Sequence, residues 1–277
     1  MATLENILNQ YDSSEHLASV GKILDDVMYR ETLPRLELVD IIKLIKPKTI
    51  SHDNEISIPN LLAVIYIQLR INEKCNEYNQ AAGMASLSTS EFYLGSRYLR
   101  GVERSKLSDE TKKKCISIFE KSIGHSLELL DLPNAKPHSL RYLIGAYVES
   151  AELLSDNDKR KARYISFAIQ FGEYWLDKND IRESTLDHLS RAYLLHSKFC
   201  ENKDDKIAAL QNVTDFGEWA YQSGYKTVTL LRNIAFAYTL LAIYNPENII
   251  EYRQRHKKFT YLARELEISA IKSSIPC

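Results

Sequence analysis

His188 and His196 stand eight residues apart in DHLSRAYLLH, about two turns of a helix, so one face could offer two imidazoles to a metal ion. No carboxylate lies beside them at a ligand offset, and a zinc site takes at least three protein ligands. The remaining histidines, His16, His52, His125, His138 and His256, are scattered. The acidic pieces LDD (Asp25, Asp26) and LSDND (154–158) lack the spacing and the glycine of a calcium loop. The chain contains no P-loop, no G-x-G-x-x-G and no G-x-S-x-G. Neither a metal nor a cofactor is expected, no catalytic residue is assigned, and the reading is of a protein that is not an enzyme.

Thiol chemistry is equally sparse. Cys75, Cys115, Cys200 and Cys277 form no C-x-x-C pair, and none has finger-like spacing to a histidine. Reduced thiols in a cytosol-like compartment are the expectation, hence a cytoplasmic location. The N-terminal stretch has no basic region followed by an apolar one, and no apolar run reaches the roughly 18 residues of a spanning helix. Hydrophobic residues make up 44% and charged residues 26% of the 277, with a formal net charge of -1. That composition supports a sizeable core and supplies no bulk field for nucleic acid or membrane.

The elements that would position any site are helical. Apolar residues recur at helical spacing nearly throughout, and glycine and proline sit mostly between the periodic segments. The spacing predicts helices over 3–11, 14–30, 34–46, 58–82, 88–105, 108–131, 137–154, 157–178, 182–201, 204–223, 226–244 and 247–272. Asp156 and Asp204 read as N-caps, and Gly224 as a C-terminal stop.

Two markers keep a common period along these helices. Phe-Gly-Glu occurs at 171–173 and again at 216–218. Ala-Tyr occurs at 146/147, 192/193 and 237/238, in steps of 46 and 45. The first marker falls on the helix that follows the second, so a two-helix unit repeats about every 45 residues, as in a stacked array. A weaker copy upstream contains LGSRY (94–98). Gly172 and Gly217 are expected where another helix approaches closely, with Phe171 and Phe216 beside them. Glu173 and Glu218 read either as solvated or as a stacked acidic pair for a cation or a basic partner.

Leu94-Gly95-x-x-Tyr98, Leu143-Ile144-x-x-Tyr147, Leu189-Ser190-x-x-Tyr193 and Ile234-Ala235-x-x-Tyr238 begin the four units. This resembles the L-G-x-x-Y core of the tetratricopeptide repeat over about 88–272. HEAT-like arrays share the same stacking of helix pairs. The resemblance implies an all-α, right-handed αα-superhelix of stacked hairpins. Residues 1–84 would form an N-terminal helical cap region and 85–277 the array.

In arrays of that family the first helix of each hairpin lines a concave groove. The residues opposite the Leu/Tyr stripe then become candidate partner contacts: Phe92, Arg100, Arg141, Asp187, Arg191, Arg232 and Phe236. Each first helix brings an arginine, and the planar guanidinium fork suits carboxylates. Further basic clusters stand at 112–114, 159–163 and 253–258, but DDK (204–206) interrupts them and the sequence pI is about 6.7. Nucleic acid is therefore not the expected partner. The expectation is an interaction module that binds an acidic peptide or protein surface in its groove. The alternatives are a peptide-sensing helical-repeat regulator and an enzyme whose helical active site carries no familiar motif.

Overall fold

The computed structural model describes residues 77–99, 103–132, 141–177 and 183–274. These residues form eight α-helices, two short 3-10 turns and no strand. The helices expected over 3–11, 14–30 and 34–46 lie outside the described residues, as does the cap region apart from residues 77–84. Two compact units divide the chain at Leu140/Arg141.

The first unit contains α1 (Glu77–Leu99) and α2 (Asp109–Leu130), packed as a pair. The sequence predicts a break at 83–87, whereas a single helix runs through it. That segment holds no proline, and one glycine costs only about 1 kcal/mol of helix propensity. Ser108 caps α2, its hydroxyl accepting from the Thr111 amide at 3.2 Å. Asp109 and Glu110 in the first turn complement the helix dipole. Gly95 faces the Phe119 ring so closely that an added Cβ would lie 2.6 Å from it. The buried hydroxyls of Ser88, Ser122 and Ser126 satisfy one another across the helix pair.

The second unit consists of three helix pairs. They are α3 (Arg141–Leu153) with α4 (Lys159–Asp177), α5 (Glu183–Phe199) with α6 (Lys203–Gln222), and α7 (Val228–Tyr244) with α8 (Ile249–Ser274). Each helix packs on the next in sequence, and the first helices also pack on one another, α3 on α5 and α5 on α7. The core of the later pairs includes Leu189, Leu210, Ile234 and Phe259. Burying each such side chain contributes about 1.5–3 kcal/mol.

The helix ends correct two expectations. Asn202 caps α6 in place of Asp204, accepting from the Asp205 amide at 2.7 Å. Asp204 sits in the first turn, where its charge favours the dipole instead. At α4, Asp158 accepts from the Arg160 amide at 2.9 Å, while Asp156 pairs with Lys161 at 2.7 Å. Gly224 follows α6 with φ 96, a conformation that excludes most side chains, as its reading as a stop requires.

Candidate functional site

The Phe-Gly-Glu segments form repeated joints between one pair and the next. An added Cβ on Gly172 would lie 2.7 Å from Leu189 Cδ1, and one on Gly217 would lie 2.5 Å from Ile234 Cγ1. Leu189 and Ile234 are the leading apolar residues of the two Tyr-bearing helices. The adjoining carboxylates complete the joint: Tyr193 donates its hydroxyl to Glu173, and Tyr238 donates to Glu218. Burial, and then the neighbouring carboxylate, push both hydroxyls well above their usual pKa. Arg255 of α8 adds hydrogen bonds to both oxygens of Glu218, at 2.9 and 3.2 Å. These glutamates are thus engaged acceptors within the fold, a role that neither sequence reading contained. Tyr147, Tyr193 and Tyr238 are all buried, as their shared register implies.

The candidate contact residues divide sharply. Phe92 is in the core of the first unit at 6% exposure, packed on Phe119 with ring centroids 5.9 Å apart. It cannot line a groove, because the covered face of α1 is wider than the Leu/Tyr stripe suggested. Arg100 and the side chain of Arg141 lie outside the described residues. Arg191 is half-buried and engaged: Nη1 reaches Glu149 at 2.7 Å, and Nη2 and Nε reach Glu152 at 2.7 and 3.1 Å. Burial works against its charge, but the two carboxylates outweigh it and hold the guanidinium protonated. The expected partner contact at Arg191 is therefore replaced by an ion cluster joining α3 to α5. A faint signal existed in the sequence, since Glu149 and Glu152 share a helix face (i, i+3) one repeat upstream of the arginine.

Asp187 accepts the hydroxyl of Thr227, the residue that caps α7, and burial pushes its carboxyl up to about 6. Next to it, burial pushes the His188 imidazole down to about 4, so it is neutral at physiological pH. His196 is exposed. The two histidines do not share a face, because eight residues leave about 80° between them at 3.6 residues per turn. Among the described residues no group of three His, Cys, Asp or Glu side chains could hold a metal ion.

Arg232 and Phe236 remain on the surface, one turn apart on α7. The Arg232 side chain is 64% exposed and pairs with the partly exposed Glu267 of α8. Phe236 is 46% exposed and Ile243, two turns further along the same face, is 66% exposed. One repeat earlier, α5 places Asp187, Arg191 and Lys198 at the matching positions; the first two are half-buried and engaged within the fold, and Lys198 is exposed.

The basic clusters are largely consumed by the fold. Lys161 is buried and donates to the Leu154 carbonyl at 3.0 Å as well as to Asp156. Lys258 lies over the rings of Tyr221 and Phe259, at 5.9 and 5.2 Å from the centroids. Among the described residues no helix is long and apolar enough to cross a membrane. The chain matches no protein-family model and no curated protein.

Proposed function

We propose that residues 141–274 form a superhelical array of αα-hairpins of the tetratricopeptide-like kind, and that the array is a non-enzymatic interaction module. Its partner is a protein or peptide surface carrying acidic and apolar groups, and its contact face is that of α7. The observation that carries this reading is the exposure of Phe236 and Ile243 beside Arg232 on one face of α7. Large apolar side chains gathered on one exposed face are a mark of interaction surfaces. The Arg232–Glu267 pair is a surface ion pair worth at most about 1 kcal/mol, so a partner carboxylate can replace Glu267 at little cost. The free thiols of Cys115 and Cys200 suit a reducing, cytoplasmic setting.

Affinity capture from a cell extract tests this, with the wild type compared against Arg232→Ala, Phe236→Ala and Ile243→Ala and melting temperatures measured alongside. A partner retained by the wild type and lost by the variants, at unchanged melting temperature, is the expected result. An identical captured set for all four proteins refutes the assignment of the face.

A further inference from the structure

The ion pairs that join one helix to another differ in the kind of cation they use. In the second unit the described pairs of this sort all employ arginine: Arg191 with Glu149 and Glu152, Arg232 with Glu267, and Arg255 with Glu218. A guanidinium keeps its charge at every physiological pH. Between α1 and α2 the cation is an imidazole. His125 Nδ1 of α2 donates to Glu91 Oε2 of α1 at 2.7 Å. Histidine is the side chain whose charge changes near neutral pH.

Glu91 is 3% exposed, and a carboxylate so enclosed depends on its cation. The His125 side chain is 21% exposed, so the imidazole can exchange its proton with solvent while the helices stay paired. One turn before each member of the pair stand Ser88 on α1 and Ser122 on α2, whose hydroxyls bond across the helices at 3.2 Å. At these two levels polar groups hold the helices together, and the charge on one of them can be removed.

The other charged groups acting on the pair from the described residues are Lys121 and Glu128, both on α2. They flank His125 at i−4 and i+3 and act on it in opposite directions. The hydrogen bond to Glu91, set against burial, holds the imidazole above its usual 6.5. Burial, partly offset by His125, raises the Glu91 carboxyl above 4.5. Each group thus keeps in the folded chain a proton that the unfolded chain has released. The contribution of Glu91 is complete below about pH 4.5 and that of His125 below about pH 6.5, and each is lost as pH rises through the folded value. The upper step leaves a buried carboxylate that retains a hydrogen bond but no counter-charge.

We infer that the α1–α2 joint is a pH-sensitive latch, closed while the His125 imidazole is charged and loosened when it is neutral. The latch belongs to the first unit, and it stands or falls independently of the contact face on α7.

Hydrogen exchange of the full chain, followed by mass spectrometry at about pH 6.5 and about pH 8.5, reads the latch once the intrinsic pH dependence of amide exchange is divided out. Protection of α1 and α2 should fall by about threefold to tenfold between the two, a tenfold fall corresponding to a full pKa unit, while α5 and α7 keep theirs. Glu91→Gln removes the buried charge and keeps a group that bonds the imidazole, so the pH-dependent fall should disappear. His125→Gln should show the lower protection of the loosened joint at both pH values. An NMR titration of the wild type needs no variant: the His125 ring should reach half-titration above pH 6.5.

Protection of α1 and α2 that does not change between the two pH values reduces the contact to a structural ion pair and overturns the proposal. So does a fall of the same size in Glu91→Gln, a fall shared by α5 and α7, or half-titration of His125 at or below pH 6.5.

Discussion

Tyr238 donates its hydroxyl to Glu218 across the same interval of 20 residues, and from the same place in the repeat, at which Tyr193 donates to Glu173. The two joints differ in one respect: Arg255 also binds Glu218. At the matching place one repeat earlier stands Leu210, which is fully buried. The later joint is thus a three-membered network and the earlier one a pair. Removing the carboxylate should cost more at position 218 than at 173. Hydrogen bonds to charged groups contribute about 1.5–3 kcal/mol each. A double-mutant cycle of Glu218→Gln with Tyr238→Phe, read from urea unfolding, should return a coupling of roughly 0.5–3 kcal/mol. A coupling indistinguishable from zero would show that the contact carries no stability.

The glycines at the joints should resist even the smallest enlargement. A Cβ at Gly217 meets Cγ1 of Ile234, close to the backbone and hard to displace, whereas at Gly172 it meets chiefly the outer Cδ1 of Leu189. Gly217→Ala is therefore expected to destabilise more than Gly172→Ala, and leucine at either place more than alanine. Overpacking costs about 1–3 kcal/mol, partly offset for alanine by about 1 kcal/mol of helix propensity. Unfolding midpoints of the four variants check the order, and midpoints equal to the wild type would remove the close-packing explanation of the motif.

Arg191 should behave as a structural residue. Arg191→Ala leaves Glu149 and Glu152 without their common cation in a largely enclosed place, where the cost approaches that of an uncompensated buried charge, about 3–5 kcal/mol. Arg191→Lys keeps the charge but loses the fork that engages Glu152 through two nitrogens, and should recover only part of the loss. Chemical denaturation measures both. Wild-type stability for Arg191→Ala would contradict the assigned role.

Asp187 and His188 should oppose each other in the pH dependence of stability. Asp187, raised to about 6 from 3.8, keeps in the folded chain a proton that the unfolded chain has released. Its stabilising contribution is complete below about pH 3.8 and is lost as pH rises through 6. His188, lowered from 6.5 to about 4, lacks in the folded chain a proton that the unfolded chain binds. Its contribution is present above pH 6.5 and is lost as pH falls through 4. Between pH 4 and 6 the two slopes cancel, each of them being at most about 1.4 kcal/mol per pH unit. Asp187→Asn should leave a stability that climbs with pH across this window, and His188→Gln one that declines. Urea midpoints at several pH values decide the matter, and three superimposable profiles would rule out the opposition.

Much of the helical framework was legible in advance because its cause is local. An apolar residue every three or four positions makes a stripe whatever the chain does elsewhere. The segment read as 226–244 is the helix Val228–Tyr244, and Gly224 does end the preceding one. Caps were less legible, since Asp156, Asp158, Asn202 and Asp204 are chemically similar and a shift of two residues selects among them. The candidate contacts were least legible. Arg191 and Phe236 hold the same position one repeat apart, yet one is held in an ion cluster and the other is exposed.

The sequence by itself determined the helical class and the burial of the marker tyrosines, because both follow from spacing along a single helix, and the period near 45 residues, because its markers recur in the chain itself. Tertiary structure alone decided what the polar residues do. Glu173 and Glu218 became acceptors for tyrosine hydroxyls 20 residues ahead, and Arg191 found carboxylates 39 and 42 residues behind. Partners that distant meet only after the helices have packed. Whether a long charged side chain is then spent inside the fold or left on its surface depends on which neighbour lies within its reach.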